Sequence, residues 1–256
     1  LRRPVALKAL FIPGASGPQE REMFLDGFAQ EARLIADLDH PAIVRVFDFG
    51  VSRTPNGEEM PWMVMDWLEG MSLAEFIEAH RGQALPPREA FAIVRPVLQA
   101  LAFAHARGVA HRDVKPLNIM LLGARPGERA GDVQVKLLDF GIAKVMTPDE
   151  GAGTGETHTR ALISAWSPRY AAPEQKVGLK TGPWTDVHAM GLILTELLTG
   201  QAPYPGADRL DVEQRVVAST RPTPGLFGVH VGAWEAVIAR AVALRTPDRF
   251  QDAGAF

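Results

Sequence analysis

The sequence predicts an α+β fold of two lobes: a small antiparallel β-sheet lobe with one main helix, then a larger, mostly helical lobe. Three observations carry this. Residues 1–66 mix short strand signals with a single helical pattern, and after Glu69-Gly70 the character turns helical. The length of 256 residues, with 46% apolar and 22% charged content, is enough for one large domain or two small lobes.

Val5 to Leu10 alternates and reads as a strand, and Met23 to Leu38 carries apolar residues at helical spacing. Ile43 to Phe49 and Trp62 to Met65 read as further strands, with a turn at Pro55-Asn56-Gly57 between them. Ser72 followed by Leu73-Ala74-Glu75 is a capping-box signature. Pro86 to Arg107 reads as a long helix stopped by Gly108, with Pro96 inside it where a proline should cost a backbone bond and kink the axis. Thr185 to Thr199 is apolar nearly all round and ends at Gly200, as a buried central helix would. The polar stretch 123–132 and the Gly-, Thr- and Ser-rich stretch 147–167 read as loops, the second long enough to suggest a function. The change of character near Asp66 to Gly70 places a cleft between the lobes.

Composition excludes some classes. A net charge of −3 offers no basic platform for nucleic acid. The absence of cysteine rules out disulfides and thiolate metal sites. No apolar run of spanning length and no signal peptide occurs, so a cytoplasmic location without membrane contact is expected for this segment, within a parent that can be membrane-anchored. Six lysines stand against 21 arginines, a bias that suggests a GC-rich bacterial genome. Lys8 and Lys115 stand against that bias, where chemistry can use a lysine.

Two runs carry the chemistry. His111-Arg112-Asp113-Val114-Lys115-Pro116-Leu117-Asn118 follows a helix and precedes the apolar run Ile119 to Leu122, which sets Asp113, Lys115 and Asn118 on one short turn above buried sequence. A charged surface loop is the bland alternative, but five such fixed positions arise by chance on the order of once in ten thousand chains this long. Val135 to Leu138 is a strand ending in Asp139-Phe140-Gly141, where an acidic group at a strand end can reach a metal and glycine frees the backbone.

These runs resemble the HRDxKxxN and DFG motifs of the protein kinase family. The resemblance covers almost the whole chain in order. Val5-Ala6-Leu7-Lys8 is similar to its VAIK strand, Glu31 to its helix glutamate, and His40 to Val44 to HPNIV. Ala172-Pro173-Glu174 matches APE, Thr185 to Gly191 resembles DVWSLG with His188 and Met190 departing, and Arg249 resembles a late arginine of the family pattern. The chain is identified as a bacterial, eukaryotic-like serine/threonine protein kinase domain: residues 1–66 the N-lobe, 67–70 the hinge and 71–256 the C-lobe.

The residue types suit phosphoryl transfer, which needs positioning and charge neutralisation more than covalent chemistry. Lys8 shares a strand face with Ala6, so it can touch nucleotide phosphates with Ala6 against the base; alone it could equally be a snorkelling surface lysine. Glu31 lies on the apolar side of its helix, three residues after Phe28 and four before Ile35; if buried it needs a partner, and Lys8 is the obvious one. The resemblance implies ATP and Mg²⁺ (or Mn²⁺) as cofactors, with Asp113 orienting the substrate hydroxyl, Lys115 steadying the transferred group, and Asn118 and Asp139 holding the metal. Lys115 implies a Ser/Thr rather than Tyr substrate. Met65 becomes the gatekeeper (core packing serves equally), the backbone of Asp66 and Leu68 the adenine contacts, and Met120 joins the ATP-contacting set. Glu174 and Arg249 become a structural ion pair, and Asp186, which by spacing alone is a helix cap, a brace for the catalytic loop.

Further expectations concern regulation and partners. A phosphate on Thr154, Thr157, Thr159 or Ser164 could pair with Arg112 and order the loop. Ser167 stands where the subclass has threonine, and Trp166 replaces a glycine. Protein substrates are implied, and self-association for trans-autophosphorylation. The family's Gly-rich phosphate loop precedes its VAIK strand, yet only Leu1 to Pro4 precede Val5 here; the chain opens mid-element, so clipping from a longer protein is expected. A pseudokinase scaffold is the alternative, motivated by that loop, Trp166 and Pro96.

Overall fold

The computed structural model describes residues 3–10, 17–125, 133–140, 169–206 and 208–256. The stretch 147–167 and most of 123–132 lie outside the described residues.

The first sheet is antiparallel, with strand order β1 (Val5–Ala9), β3 (Glu59–Asp66), β2 (Val46–Arg53). Its second strand begins and ends later than the sequence pattern suggests. The reason is that Ile43 is taken out of the sheet by a parallel bridge to Leu137. The turn at Thr54–Glu58 closes through Gly57 N–H to the Thr54 carbonyl (2.9 Å), with Gly57 at φ 81° as its left-handed residue. Helix α1 (Pro18–Ala36) packs on this sheet and starts five residues before the predicted Met23. Proline suits a helix's first position, where its missing N–H costs nothing.

Residues 67–69 lead from β3 into β4 (Gly70–Ser72), the first strand of a second antiparallel sheet with β5 (Ile119–Leu122) and β6 (Gln134–Leu137). Gly70 sits at φ 154°, and a Cβ there would run into the Leu121 carbonyl, so only glycine lets β4 approach β5. The predicted capping box is present at α2 (Leu73–Ala79): Ser72 Oγ accepts from Glu75 N–H (3.2 Å) and Glu75 Oε2 from Ser72 N–H (2.7 Å).

Helix α3 (Pro87–His105) runs on through Pro96 and buries Ile93, Val94, Val97, Ala100, Leu101 and Ala104. Beyond it lie α4 (Pro173–Lys176), α5 (Pro183–Thr199), α6 (Arg209–Val217) and α7 (Trp234–Ala241). Every residue of α5 from Thr185 to Thr199 is buried, as its unbroken apolar character predicts, and Gly200 closes it in the left-handed conformation at φ 67°. The centre of the larger lobe is therefore a helix with no solvent face, against which α3 and α7 pack.

Candidate active site

The loop from His111 to Asn118 joins α3 to β5 and ends in a 3-10 turn over Pro116–Asn118. Arg112 takes φ 60°, which costs a non-glycine residue on the order of 1–3 kcal/mol unless its surroundings demand it. Here they do. Asp186, fully buried near the start of α5, accepts His111 N–H at Oδ2 (2.7 Å) and Arg112 N–H at Oδ1 (2.6 Å). Gln175 Nε2 donates to the Arg112 carbonyl (2.8 Å), and His105 Nε2 reaches Asp186 Oδ2 (2.8 Å). The bracing role expected of Asp186 thus has a concrete geometry.

Within the loop, Lys115 Nζ lies 2.8 Å from Asp113 Oδ2. Asn118 Nδ2 donates to the Asp113 carbonyl (2.9 Å) and to its Oδ2 (3.3 Å). The three polar side chains that the sequence sets on one turn are thus joined around one carboxylate. Both of these Asn118 bonds use its Nδ2, which leaves Oδ1 as the oxygen a hard cation would use. His111 ties this loop to the second motif. Its Nδ1 accepts Asp113 N–H (3.2 Å), its Nε2–H donates to the Leu138 carbonyl (2.7 Å), and its ring packs 4.7 Å from buried Phe140. Burial holds its pKa below the usual imidazole value, in keeping with a neutral ring that both donates and accepts.

Asp139 also takes a left-handed conformation, φ 49°, and its Oδ1 lies 2.7 Å from Lys8 Nζ. This corrects the pairing expected for Lys8: its partner is Asp139, not Glu31. Glu31 is buried as predicted, but its Oε2 has no hydrogen-bond partner. Burial pushes its carboxyl up to about 7, against a smaller opposing pull from the Arg112 guanidinium. The sequence could place Glu31 on the apolar face; it could not say how far α1 holds it from Lys8.

On the first sheet, Ala6 and Lys8 share the half-buried face of β1, while Val5 and Leu7 are exposed. Ala6 pairs with Met65 and Lys8 with Met63 across the ladder, and Met65 is buried. Asp66 donates its N–H to the Arg45 carbonyl (3.0 Å). Met120 points away from its buried neighbours Ile119 and Leu121 and is half-buried. Asn118 and Asp139 together with phosphate oxygens fit the way Mg²⁺ is bound, through one or two protein ligands plus substrate. Among the described residues no cluster of three His, Cys or acidic side chains offers a self-sufficient metal cage.

Glu174 and Arg249 form the expected ion pair, bidentate and buried, at 2.8 and 2.9 Å. Thr185 Oγ1 adds a third bond to Glu174 (2.8 Å). The departure at His188 is also explained. Burial, then the charges of Arg249 and Arg221, hold its pKa well below the usual value, so neutral Nε2 can accept from Arg221 Nη2 (2.8 Å). Ser167, Thr154, Thr157, Thr159, Ser164, Trp166 and Gly141 lie outside the described residues. Sequence reasoning missed His105, Gln175 and Arg221. His105, one helical turn after Leu101, gave the only available signal, a polar residue on a buried stripe.

A braced acid with a neighbouring lysine and amide, and a strand-end carboxylate paired to a lysine of the first sheet, are groups that phosphoryl transfer can use. The protein kinase domain family matches residues 2–227, and the chain belongs to that family. It is 35% identical over 254 residues to the serine/threonine-protein kinase PknB of Mycolicibacterium smegmatis, across 99% of this chain and 37% of that protein. PknL of Mycobacterium bovis is also 35% identical, across 99% of this chain and 57% of its own length. The solved PknI kinase domain of Mycobacterium tuberculosis superposes with a TM-score of 0.68 at 29% identity, covering 98% of this chain and 84% of that one. The chain therefore spans little more than a third of PknB. Among the described residues no helix is long and apolar enough to cross a membrane.

Proposed function

We propose that the protein containing this chain is an active serine/threonine kinase of bacterial signalling. It would transfer the γ-phosphoryl group of ATP to Ser/Thr hydroxyls of protein substrates and, through self-association, to itself. The observation that carries this reading is the Asp113 cluster, with Lys115 Nζ at 2.8 Å and Asn118 Nδ2 at 2.9 Å from the same residue. Asp113 Oδ2 orients the attacking hydroxyl and takes its proton, while Lys115, already within reach, screens the charge gathering on the transferred group. Asn118 and Asp139 would hold Mg²⁺, which would supply further charge neutralisation. Lys8 moves from Asp139 to the nucleotide phosphates as ATP enters, and Ala6, Met65, Leu68 and Met120 close on the base. The Leu68 N–H, which bonds no protein acceptor among the described residues, offers the adenine edge a donor. Arg112 would receive a phosphorylated loop residue among Thr154, Thr157 and Thr159, with Ser167 near the substrate. A cytoplasmic location, where ATP is abundant, goes with this chemistry.

The relatives are named as serine/threonine kinases, and the comparisons lend no support to the scaffold alternative. The test is Asp113→Asn in the full-length protein. Transfer of labelled phosphate from ATP to a protein substrate should fall by about 10²–10⁴-fold with the fold intact by circular dichroism. A wild-type protein that binds Mg-ATP yet never transfers phosphate would sink the reading.

A further inference from the structure

We infer that Gln175 is a positioning residue that sets the aim of Asp113, by holding one end of the peptide unit that joins Arg112 to Asp113; this rests on the kinase reading above. A trans peptide is planar, so its one free motion is rotation about the line between its two Cα atoms, which changes ψ of Arg112 and φ of Asp113 together. The 112–113 unit is caught at both of its polar ends. Its carbonyl accepts from Gln175 Nε2 (2.8 Å), and its N–H donates to His111 Nδ1 (3.2 Å). With Arg112 already held at φ 60°, those two bonds settle the direction in which the Asp113 side chain leaves the backbone.

The Gln175 carboxamide is itself held. It is 5% exposed, and its Oε1 accepts the Ala172 N–H (3.0 Å). The amide oxygen can only accept and the amide nitrogen only donate, so these two partners leave the group a single orientation. The Ala172 bond alone is a local matter. Gln175 is the third residue of α4, and a side chain there that reaches back to the residue before the helix is half of a capping box, a role that glutamate fills equally well. The Arg112 bond is not local. It crosses 63 residues of sequence and needs a donor, which an ionised glutamate lacks. Tyr170 and Ala171, just before Ala172, line the same pocket as Asp113 and Lys115. One carboxamide therefore ties the strip 170–172 to the acid it faces, and a displacement of that strip reaches Asp113 as a turn of the 112–113 peptide.

Two variants of the full-length protein separate positioning from capping. Gln175→Met keeps the volume and removes both bonds. It should lower kcat about tenfold, with KM for ATP changed less than about twofold. Its Asp113 amide should exchange hydrogen about tenfold faster, while the amides of buried α5 stay as protected as in wild type. A cap alone would expose only the Ala172 amide and leave Asp113 protected. Gln175→Glu keeps the acceptor for Ala172. Its neutral carboxyl can donate to the Arg112 carbonyl and its carboxylate cannot. Relative to wild type, kcat should therefore fall and Asp113 exchange should rise as pH increases through the titration of the new carboxyl. An unchanged Asp113 amide in Gln175→Met, or a Gln175→Glu protein that matches wild type in both readouts at every pH where it is folded, would overturn the inference. The exchange arm reads Gln175 even where no phosphate transfer is found, so failure of the kinase reading is told apart from failure of this one.

Discussion

The two halves of the active centre are held in different ways. On the C-lobe side three anchoring groups are buried and answered. Asp186 receives three donors, Glu174 receives both arms of Arg249 as well as Thr185, and neutral His111 both donates and accepts. On the N-lobe side Lys8 meets Asp139 with both side chains about a third exposed (38% and 34%), and the carboxylate expected to receive Lys8 is buried without a hydrogen bond at Oε2. Low dielectric makes a fully satisfied network stiff and an unsatisfied group costly. The Asp113 loop is therefore built to stay put, and Lys8 to change partners.

Experiments on the two halves can break this contrast. The largest effect belongs to the buried pair. Arg249→Ala strands Glu174 as an uncompensated charge and should cost about 3–5 kcal/mol in urea unfolding, whereas replacing both partners with apolar residues of similar volume should recover much of that loss. A small loss from Arg249→Ala would remove the contrast. Next comes Glu31. Its folded-state pKa is raised, to about 7, above an ordinary value of 4.5. Its stabilising contribution is therefore fully present below about 4.5 and is lost as pH rises through about 7, because the native state holds the proton that the unfolded state releases. Glu31→Gln should be more stable than wild type at pH 8, by up to roughly 3 kcal/mol, and indistinguishable from it near pH 4. Thermal unfolding across that range checks the sign, and a variant less stable than wild type at pH 8 would show that Glu31 has an ionic partner after all. The smallest effect should come from Lys8→Met. A pair this exposed contributes under about 1 kcal/mol, so Tm should hardly move while phosphate transfer collapses.

Much of this was legible in the sequence, for physical reasons that also mark the limit. The Ser72 box and the central helix follow from local chemistry: a hydroxyl three residues before a carboxylate, and an apolar run ending in glycine. Asp113, Lys115 and Asn118 were legible because a single short turn must bring them together. Lys8's partner was not, since it depends on where α1 lies against the first sheet, and nothing in residues 18–36 encodes a distance to residue 8. His105 and Gln175 were hidden for the same reason: their partners are 81 and 63 residues away in sequence. The later start of β2 reflects a long-range claim on Ile43 that no local pattern records.

That bridge has a mechanical meaning. The backbone joins the two sheets at only two places among the described residues. One is the covalent strip 67–69. The other is the crossing where Leu137 N–H bonds the Ala42 carbonyl (2.8 Å) and Val44 N–H bonds the Leu137 carbonyl (3.0 Å), with Lys136 Nζ on the Ile43 carbonyl (3.0 Å). Two fixed points define an axle. Relative sliding of the sheets would have to break the crossing, while rotation about the line through both points spares these two backbone joins. A swing about that line is the one relative motion that leaves both backbone joins whole.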